Sequence, residues 1–374
     1  MSKSKVLHIV GGMNIGGTET MLMNLYREVN NDIQFDFVSY YKRDGYYDEE
    51  IRELGGNIIK LNAPNEIGSI KAIKELSKVI KENGPYEAVH SHTLFNCGIA
   101  NIAAKLSGVK IRIAHAHTTL DNNEGLIRKI YIILMRSVIK IFSTDFLACS
   151  NSAGKYLFGK NIVNNKRYDV IPNYIDYKKF LECEDKFSIR KELGLDINDK
   201  LVVHVGRFVK AKNHKFLVQI INGMVKRDKN VKAVFVGDGD LRLEIEEMVR
   251  NLELENNIIF LGLRKDINTI LNNSDIFIFP SIYEGLGLVM LEAQASGLPC
   301  IVSEAIQPEA NLDIGLIKQL KISDGIDKWV DESFKSINSK NKSIDLIEEA
   351  FKEKGYKIEN IVNNLLDIYK LRLG

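Results

Sequence analysis

Four side chains in the second half of this chain have the types and spacing to handle a phosphorylated ligand: Arg207, Lys212, Glu284 and Glu292. Arg207 follows Gly206, and Lys212 lies five residues on, where an apolar run gives way to a helical pattern. Two cations at a strand end and a helix start suit a diphosphate, arginine binding as a planar fork and lysine as a point charge. Glu284 sits in a loop that continues through Gly285, Leu286 and Gly287 to a helix starting near Leu288; seven residues separate it from Glu292. A glycine loop before a helix points free backbone N–H groups and the positive end of a dipole at an anion. Glu292 falls about one turn into that helix, within reach of a group bound at its start. Taken singly, each residue has a plainer reading, a solvated charge or an acid complementing a helix N-terminus.

The histidines form a second group. Five of the seven, His8, His90, His92, His115 and His117, fall on predicted strands or their C-terminal ends in the first half. An open α/β sheet keeps its ligand crevice at strand C-termini. His90 and His92 share one strand face, as do His115 and His117. No carboxylate or thiol follows at ligand spacing, so no metal site is expected. Neutral imidazoles lining a polar pocket, or bonded within the core, are the two readings. Gly16 and Gly17, after the first strand, either form a tight turn or bring backbone N–H groups close to a phosphate or sugar. The loop is not G-x-G-x-x-G, so no dinucleotide cofactor is expected.

The elements that must position these residues follow from the alternation of short apolar runs with longer helical patterns. That alternation predicts parallel sheets covered by helices, an α/β fold. In the first half the strands are VLHIV (6–10), FDFVS (35–39), NIIKL (57–61), AVHSH (88–92), IRIAHAH (111–117) and DFLACS (145–150). In the second they are LVVHVGR (201–207), VKAVFVGDG (231–239), NIIFLG (257–262), DIFIFP (275–280) and PCIVS (299–303). The expected domains are residues 1–180 and 187–355, joined by a polar linker over 177–186. A final helical pattern in 356–374 crosses back to the first domain. After the last of these strands, PEANL (308–312) begins a short helix.

The run P-S-x-x-E-G-[LF]-G-x-x-x-L-E-A-x-A-x-G-x-P, from Pro280 to Pro299, resembles the E-x7-E signature of retaining family 4 glycosyltransferases. Leu286 stands where phenylalanine is more usual. G-R-x4-K at Arg207 and Lys212 resembles the same family's phosphate-binding motif, and VIPNYID (170–176) its IPNG-x-D passage, with Tyr174 replacing the glycine. The resemblance implies a GT-B fold, two Rossmann-like domains facing across a central cleft, the second holding a nucleotide-sugar donor and the first the acceptor. It implies that Arg207, Lys212 and the amides near Gly287 stabilise a departing diphosphate without a divalent metal. It further implies that Glu292 binds ribose hydroxyls, that Glu284 contacts the transferred sugar, and that His92, with His117 as the alternative, is a pocket histidine. Gly237 would line the crevice and Arg264 would lie near the base. Donor, saccharide or lipid-linked acceptor, retention of configuration and a role in bacterial surface polysaccharide synthesis are all implications of this likeness. A sugar-nucleotide epimerase of the same fold and a non-catalytic nucleotide-sugar binding protein are its rivals.

Composition fits and excludes. The 374 residues are 45% hydrophobic and 27% charged, ordinary for a chain with large cores. The net charge of +2 is divided unevenly: residues 1–180 hold 24 Lys and Arg against 18 Asp and Glu. That modest excess does not suggest nucleic acid, but it favours an anionic membrane leaflet. The segment EGLIRKIYIILMRSVIKIF, opening on Glu124 and closing on Phe142, is broadly apolar with Arg128, Lys129, Arg136 and Lys140 on one side. It reads either as a helix packed on the first sheet or as an interfacial helix of a peripheral enzyme at the inner face of the membrane. Four scattered cysteines and no recognisable leader or spanning segment suggest a cytoplasmic protein.

Overall fold

The computed structural model describes residues 3–118, 125–171, 175–181, 188–337, 343–356 and 358–371. The chain packs as two compact units, residues 1–174 with 355–374, and residues 175–354. The first contains β1 (Ser4–Val10), β2 (Ile33–Ser39), β3 (Ile58–Lys60), β4 (Ala88–Ser91), β5 (Ile111–Ala116), β6 (Asp145–Ala148) and β7 (Tyr168–Val170). Their order is β3-β2-β1-β4-β5-β6-β7, all parallel. The order reverses between β1 and β4, which opens a crevice at the C-terminal ends of those strands. Register sets His8 directly beside His90.

Helices cover both faces of this sheet, so its central strands read as near-continuous apolar runs. On one face Ile99, Ala100 and Ala103 pack with Leu76 and Val89. On the other, Leu25 and Tyr26 of the Gly17–Val29 helix meet Phe35 and Phe37. The Ile358–Tyr369 helix joins this second face through Ile361, Val362, Leu365, Leu366 and Tyr369. Each such buried aliphatic contributes about 1.5–3 kcal/mol, enough to hold a 12-residue helix in place.

The second unit contains β8 (Lys200–Val205), β9 (Val231–Val236), β10 (Ile258–Gly262), β11 (Ile276–Phe279), β12 (Cys300–Ser303) and β13 (Ile317–Leu320). The order is β10-β9-β8-β11-β12-β13, again parallel, with its reversal between β8 and β11. Leu217 and Ile221 of the His214–Arg227 helix, with Trp329, pack on Val202, Phe235 and Ile278. Arg190, 8% exposed, donates to Asp275 Oδ2 at 2.6 Å, and the same oxygen accepts the Leu201 amide at 2.7 Å. That shared carboxylate fastens the start of β8 to the start of β11, the two strands that carry the site.

Three expectations change. β7 and β13 are edge strands that the apolar pattern does not announce, since Asp169, Lys318 and Gln319 face solvent. The linker expected over 177–186 begins inside the second unit: Tyr177 stacks on Phe351 at 4.4 Å, and Phe180 and Leu181 are buried. Residues 182–187 and the Pro172–Tyr174 part of the IPNG-like passage lie outside the described residues, as does Glu124. The Leu126–Phe142 helix is scarcely packed on the sheet, for Ile139 is its one buried side chain.

Candidate active site

The second-unit site is built from the loops that follow β8 and β11. After β8 the chain turns through Gly206, whose N–H donates to Val236 O at 2.9 Å, and the Phe208 N–H donates to Asp238 O at 2.9 Å. Gly237 has φ +136°, and a Cβ there would lie 2.2 Å from Gly206 O. Only glycine lets these two loops lie so close. Gly237 is therefore a structural clamp beneath Arg207. The Arg207 side chain is exposed and has no ion pair among the described residues. A short turn, Lys210–Lys212, leads through Asn213 in the left-handed region (φ 56°) into the 14-residue His214–Arg227 helix.

Lys212 is drawn inward. Its Nζ donates to Glu284 Oε1 at 2.6 Å and lies 4.6 Å from the centre of the Phe279 ring. Glu284 is 8% exposed, so the pair is largely removed from water. The Ile282 N–H to Ala211 O bond, 2.7 Å, ties the two loops together beside it. Beneath Lys212 lie two buried imidazoles that residue spacing did not single out. His204 Nδ1–H donates to Ile278 O at 2.9 Å, and His214 stacks on Phe208 at 4.0 Å. Burial pushes His204 down to about 4 and His214 lower still. Both are neutral, so they do not compete with Lys212 as cations. The signal for His204 was its place two residues before Gly206, in a stretch (201–205) otherwise wholly apolar.

Gly287 caps the Leu288–Ala295 helix in the left-handed region, φ 80°, so the first free amides follow directly on the glycine loop. Leu286 and Leu288 are buried, which fixes that loop from below. Glu292, the fifth residue of the helix, is half-buried, and desolvation pushes its carboxyl up to about 7. The second unit thus carries Arg207, Lys212, Gly237, Glu284, Gly285 and Gly287 on the loops after β8, β9 and β11, and Glu292 on the helix that follows Gly287. Arg264 differs: its guanidinium is occupied by Glu192 at 2.6 and 3.0 Å and by Asp266 at 2.7 and 2.8 Å. Two carboxylates thus fix its guanidinium on the loop that follows β10.

In the first unit Gly16 is extended, and the Gly17–Val29 helix starts directly after it with the Thr20 N–H on Gly16 O at 2.8 Å. The five histidines do come together, but on one another. His92 bridges His8 (Nε2 to Nδ1, 3.1 Å) and His117 (Nδ1 to Nε2, 2.8 Å). His90 bridges Tyr369 of the terminal helix (2.7 Å) and His115 (3.1 Å). Burial, and then the neighbouring imidazoles, hold His90, His92 and His115 far below the ordinary histidine range. His8 is driven to about 3 by burial alone. Only His92 and His117 reach partial exposure, at the C-terminal ends of β4 and β5.

Two Rossmann-like parallel sheets in one chain, each with its loops gathered at a strand-order reversal, define a GT-B fold. Anabaena Alr3699/HepE, crystallised with UDP and glucose, has that fold: TM-score 0.77 at 17% identity, over 98% of this chain and 99% of that one. The profile "Glycosyltransferase Family 4" matches residues 15–179, and "Glycosyl transferases group 1" matches residues 185–312. The putative glycosyltransferase EpsF of Bacillus subtilis is 35% identical over 99% of this chain and 97% of its own length. The UDP-Gal:alpha-D-GlcNAc-diphosphoundecaprenol alpha-1,3-galactosyltransferase of Escherichia coli is 29% identical over 81% of this chain and 80% of its own. The chain belongs to the family 4 glycosyltransferases. It is an enzyme of glycosyl transfer.

Proposed function

We propose that this enzyme is retaining and works without a divalent metal at its diphosphate site. It moves a hexosyl or N-acetylhexosaminyl group from a nucleoside-diphosphate sugar, a UDP-sugar, to a saccharide or lipid-linked saccharide acceptor in surface polysaccharide synthesis. The observation that carries this reading is the Lys212–Glu284 pair beside the Gly287 helix start, with the exposed Arg207 guanidinium on the neighbouring loop. A departing diphosphate concentrates negative charge on its bridging oxygen, and fixed donors aimed there lower the barrier without reorganising. Lys212, Arg207 and the amides after Gly287 are such donors. Glu284 holds Lys212 until the phosphates arrive, then turns to the sugar hydroxyls; Glu292 takes the ribose. The galactosyltransferase relative, which by name acts on a diphosphoundecaprenol-linked sugar, supports the acceptor class. His92 and His117 supply the polar mouth for that acceptor in the first unit.

Incubation with a panel of UDP-, GDP- and ADP-sugars and a polyprenyl-diphosphate saccharide should give one acceptor mass increased by a single hexose or N-acetylhexosamine. The new linkage should keep the donor's anomeric configuration by NMR. An inverted linkage would remove the retaining assignment, and release of an altered free sugar without acceptor would favour an epimerase.

An acceptor on a lipid carrier asks the enzyme to meet a membrane. No helix among the described residues is long and apolar enough to cross one. The Leu126–Phe142 helix instead exposes Leu126, Ile127, Ile130, Ile133, Leu134 and Ile141, the last 66% open, beside Arg128, Lys129 and Lys140. A cationic helix with this much bare apolar surface lies in the headgroup region of an anionic leaflet. Sedimentation with phosphatidylglycerol vesicles should carry the protein down, and neutral vesicles should not. Ile127→Ser with Leu134→Ser should return it to the supernatant; equal recovery from both vesicle types would end the idea.

A further inference from the structure

The histidine cluster of the first unit does more than fill a polar core. Each of His92, His115 and His117 offers one ring nitrogen, and these three nitrogens lie within 4.8 Å of one another. They come from the C-terminal ends of two adjacent parallel strands, a rigid frame. Three imidazoles leaving a further position open is a common catalytic zinc arrangement. His115 carries a second observation. It is 1% exposed, and its Nδ1 is bonded to His90 Nε2, yet its Nε2 has no hydrogen-bond partner among the described residues. The Tyr369–His90–His115 row can run its protons in either direction, and both directions leave that Nε2 without a partner. A buried nitrogen of this kind costs about 1–3 kcal/mol if nothing meets it.

We propose that His92, His115 and His117 bind a divalent transition cation of the zinc class, with His90 and Tyr369 as the outer support that orients His115. Neutral imidazole donors without carboxylate favour zinc, nickel, copper or cobalt over magnesium or calcium. A ligating histidine usually donates its other ring N–H to a neighbour, and His115 Nδ1–H to His90 Nε2 is that bond. The His92–His117 contact of 2.8 Å opens slightly to admit the ion, since nitrogens sharing a metal at about 2.0–2.1 Å stand farther apart than that. His92 and His117 are both partly exposed, giving an entry path, whereas the deeper His8–His90–His92 group has only His92 partly exposed. The site shares no residue with the diphosphate-binding set of the second unit, and it uses His92 and His117, the two histidines assigned above to the acceptor mouth.

The test is cobalt titration of the full-length, tag-free protein after chelator treatment. One Co²⁺ per chain with the intense visible bands of a low-coordinate site, displaced by Zn²⁺, is expected. His115→Ala with His117→Ala should abolish the bands, while Tyr369→Phe should weaken cobalt affinity about 10–100-fold and leave the spectrum unchanged. Added Zn²⁺ should raise the wild-type unfolding temperature and not that of the double variant. Sub-stoichiometric uptake, only the faint spectrum of a loosely hydrated ion, or equal uptake by wild type and double variant would overturn the proposal.

Discussion

Lys212→Ala should lower kcat by about 10²–10³-fold, the loss that follows removal of one fixed donor to developing charge. The variant also takes the Lys212 ammonium away from Glu284, which is 8% exposed. That costs stability, on the order of 1–3 kcal/mol, because a buried carboxylate must take up a proton or draw in water. Activity and stability therefore fall together, and a single variant cannot separate them. Lys212→Ala with Glu284→Gln, compared with Glu284→Gln alone, can: the neutral amide removes the uncompensated charge, so most of the stability returns while turnover stays below that of Glu284→Gln. Lys212→Arg should not restore turnover either, since a planar fork does not replace a point charge seated over the Phe279 ring. Near-normal turnover in Lys212→Ala would contradict the assignment outright.

The second large effect concerns Glu292. Its carboxyl titrates near 7 in the folded chain against an ordinary 4.5, because burial disfavours the charged form. The folded state holds this proton more tightly than the unfolded chain. Its contribution to stability is therefore full below 4.5 and is lost as pH rises through 7. By about pH 8 the ionised side chain is a net liability of up to about 3 kcal/mol. Glu292→Gln should thus stabilise the free enzyme at alkaline pH and leave it unchanged near pH 4. The same variant should weaken nucleotide binding by about tenfold or more at pH 8, where the carboxylate is the better acceptor for hydroxyl groups. Wild-type affinity should fall toward that of the variant as pH drops through 7. Denaturant unfolding and nucleotide titration, each across pH, check both halves; a variant less stable than wild type at pH 8 would refute desolvation as the cause.

Central strands were legible from the sequence because burial on both faces writes them as near-continuous apolar runs, as in VVHV before Gly206 and IFIF before Pro280. The edge strands β7 and β13 were not, because a strand covered on one side carries Asp169 or Lys318 where the pattern wants apolar residues. The glycine loop, its helix and the charged quartet were readable because their spacing is local. Their pairing was not: nothing in the order of residues says that Lys212 reaches Glu284, 72 positions on. The histidines show the same limit. Alternation placed His90 with His92 and His115 with His117, but the link to Tyr369 spans 279 positions and depends on where the last helix docks.

That helix has a consequence for how the protein comes into being. The first unit takes its final layer, Ile361 through Tyr369, from residues that leave the ribosome after the whole second unit has been made. Until then the face of Leu25, Val29 and Phe35 lacks the Val362, Leu365, Leu366 and Tyr369 side chains that face it in the folded protein. The intervening unit, contiguous in sequence, is free to fold first, while the portion synthesised earliest waits with an open apolar flank. Chaperone demand should consequently fall on the N-terminal half of the nascent chain, the reverse of the simple first-made, first-folded order.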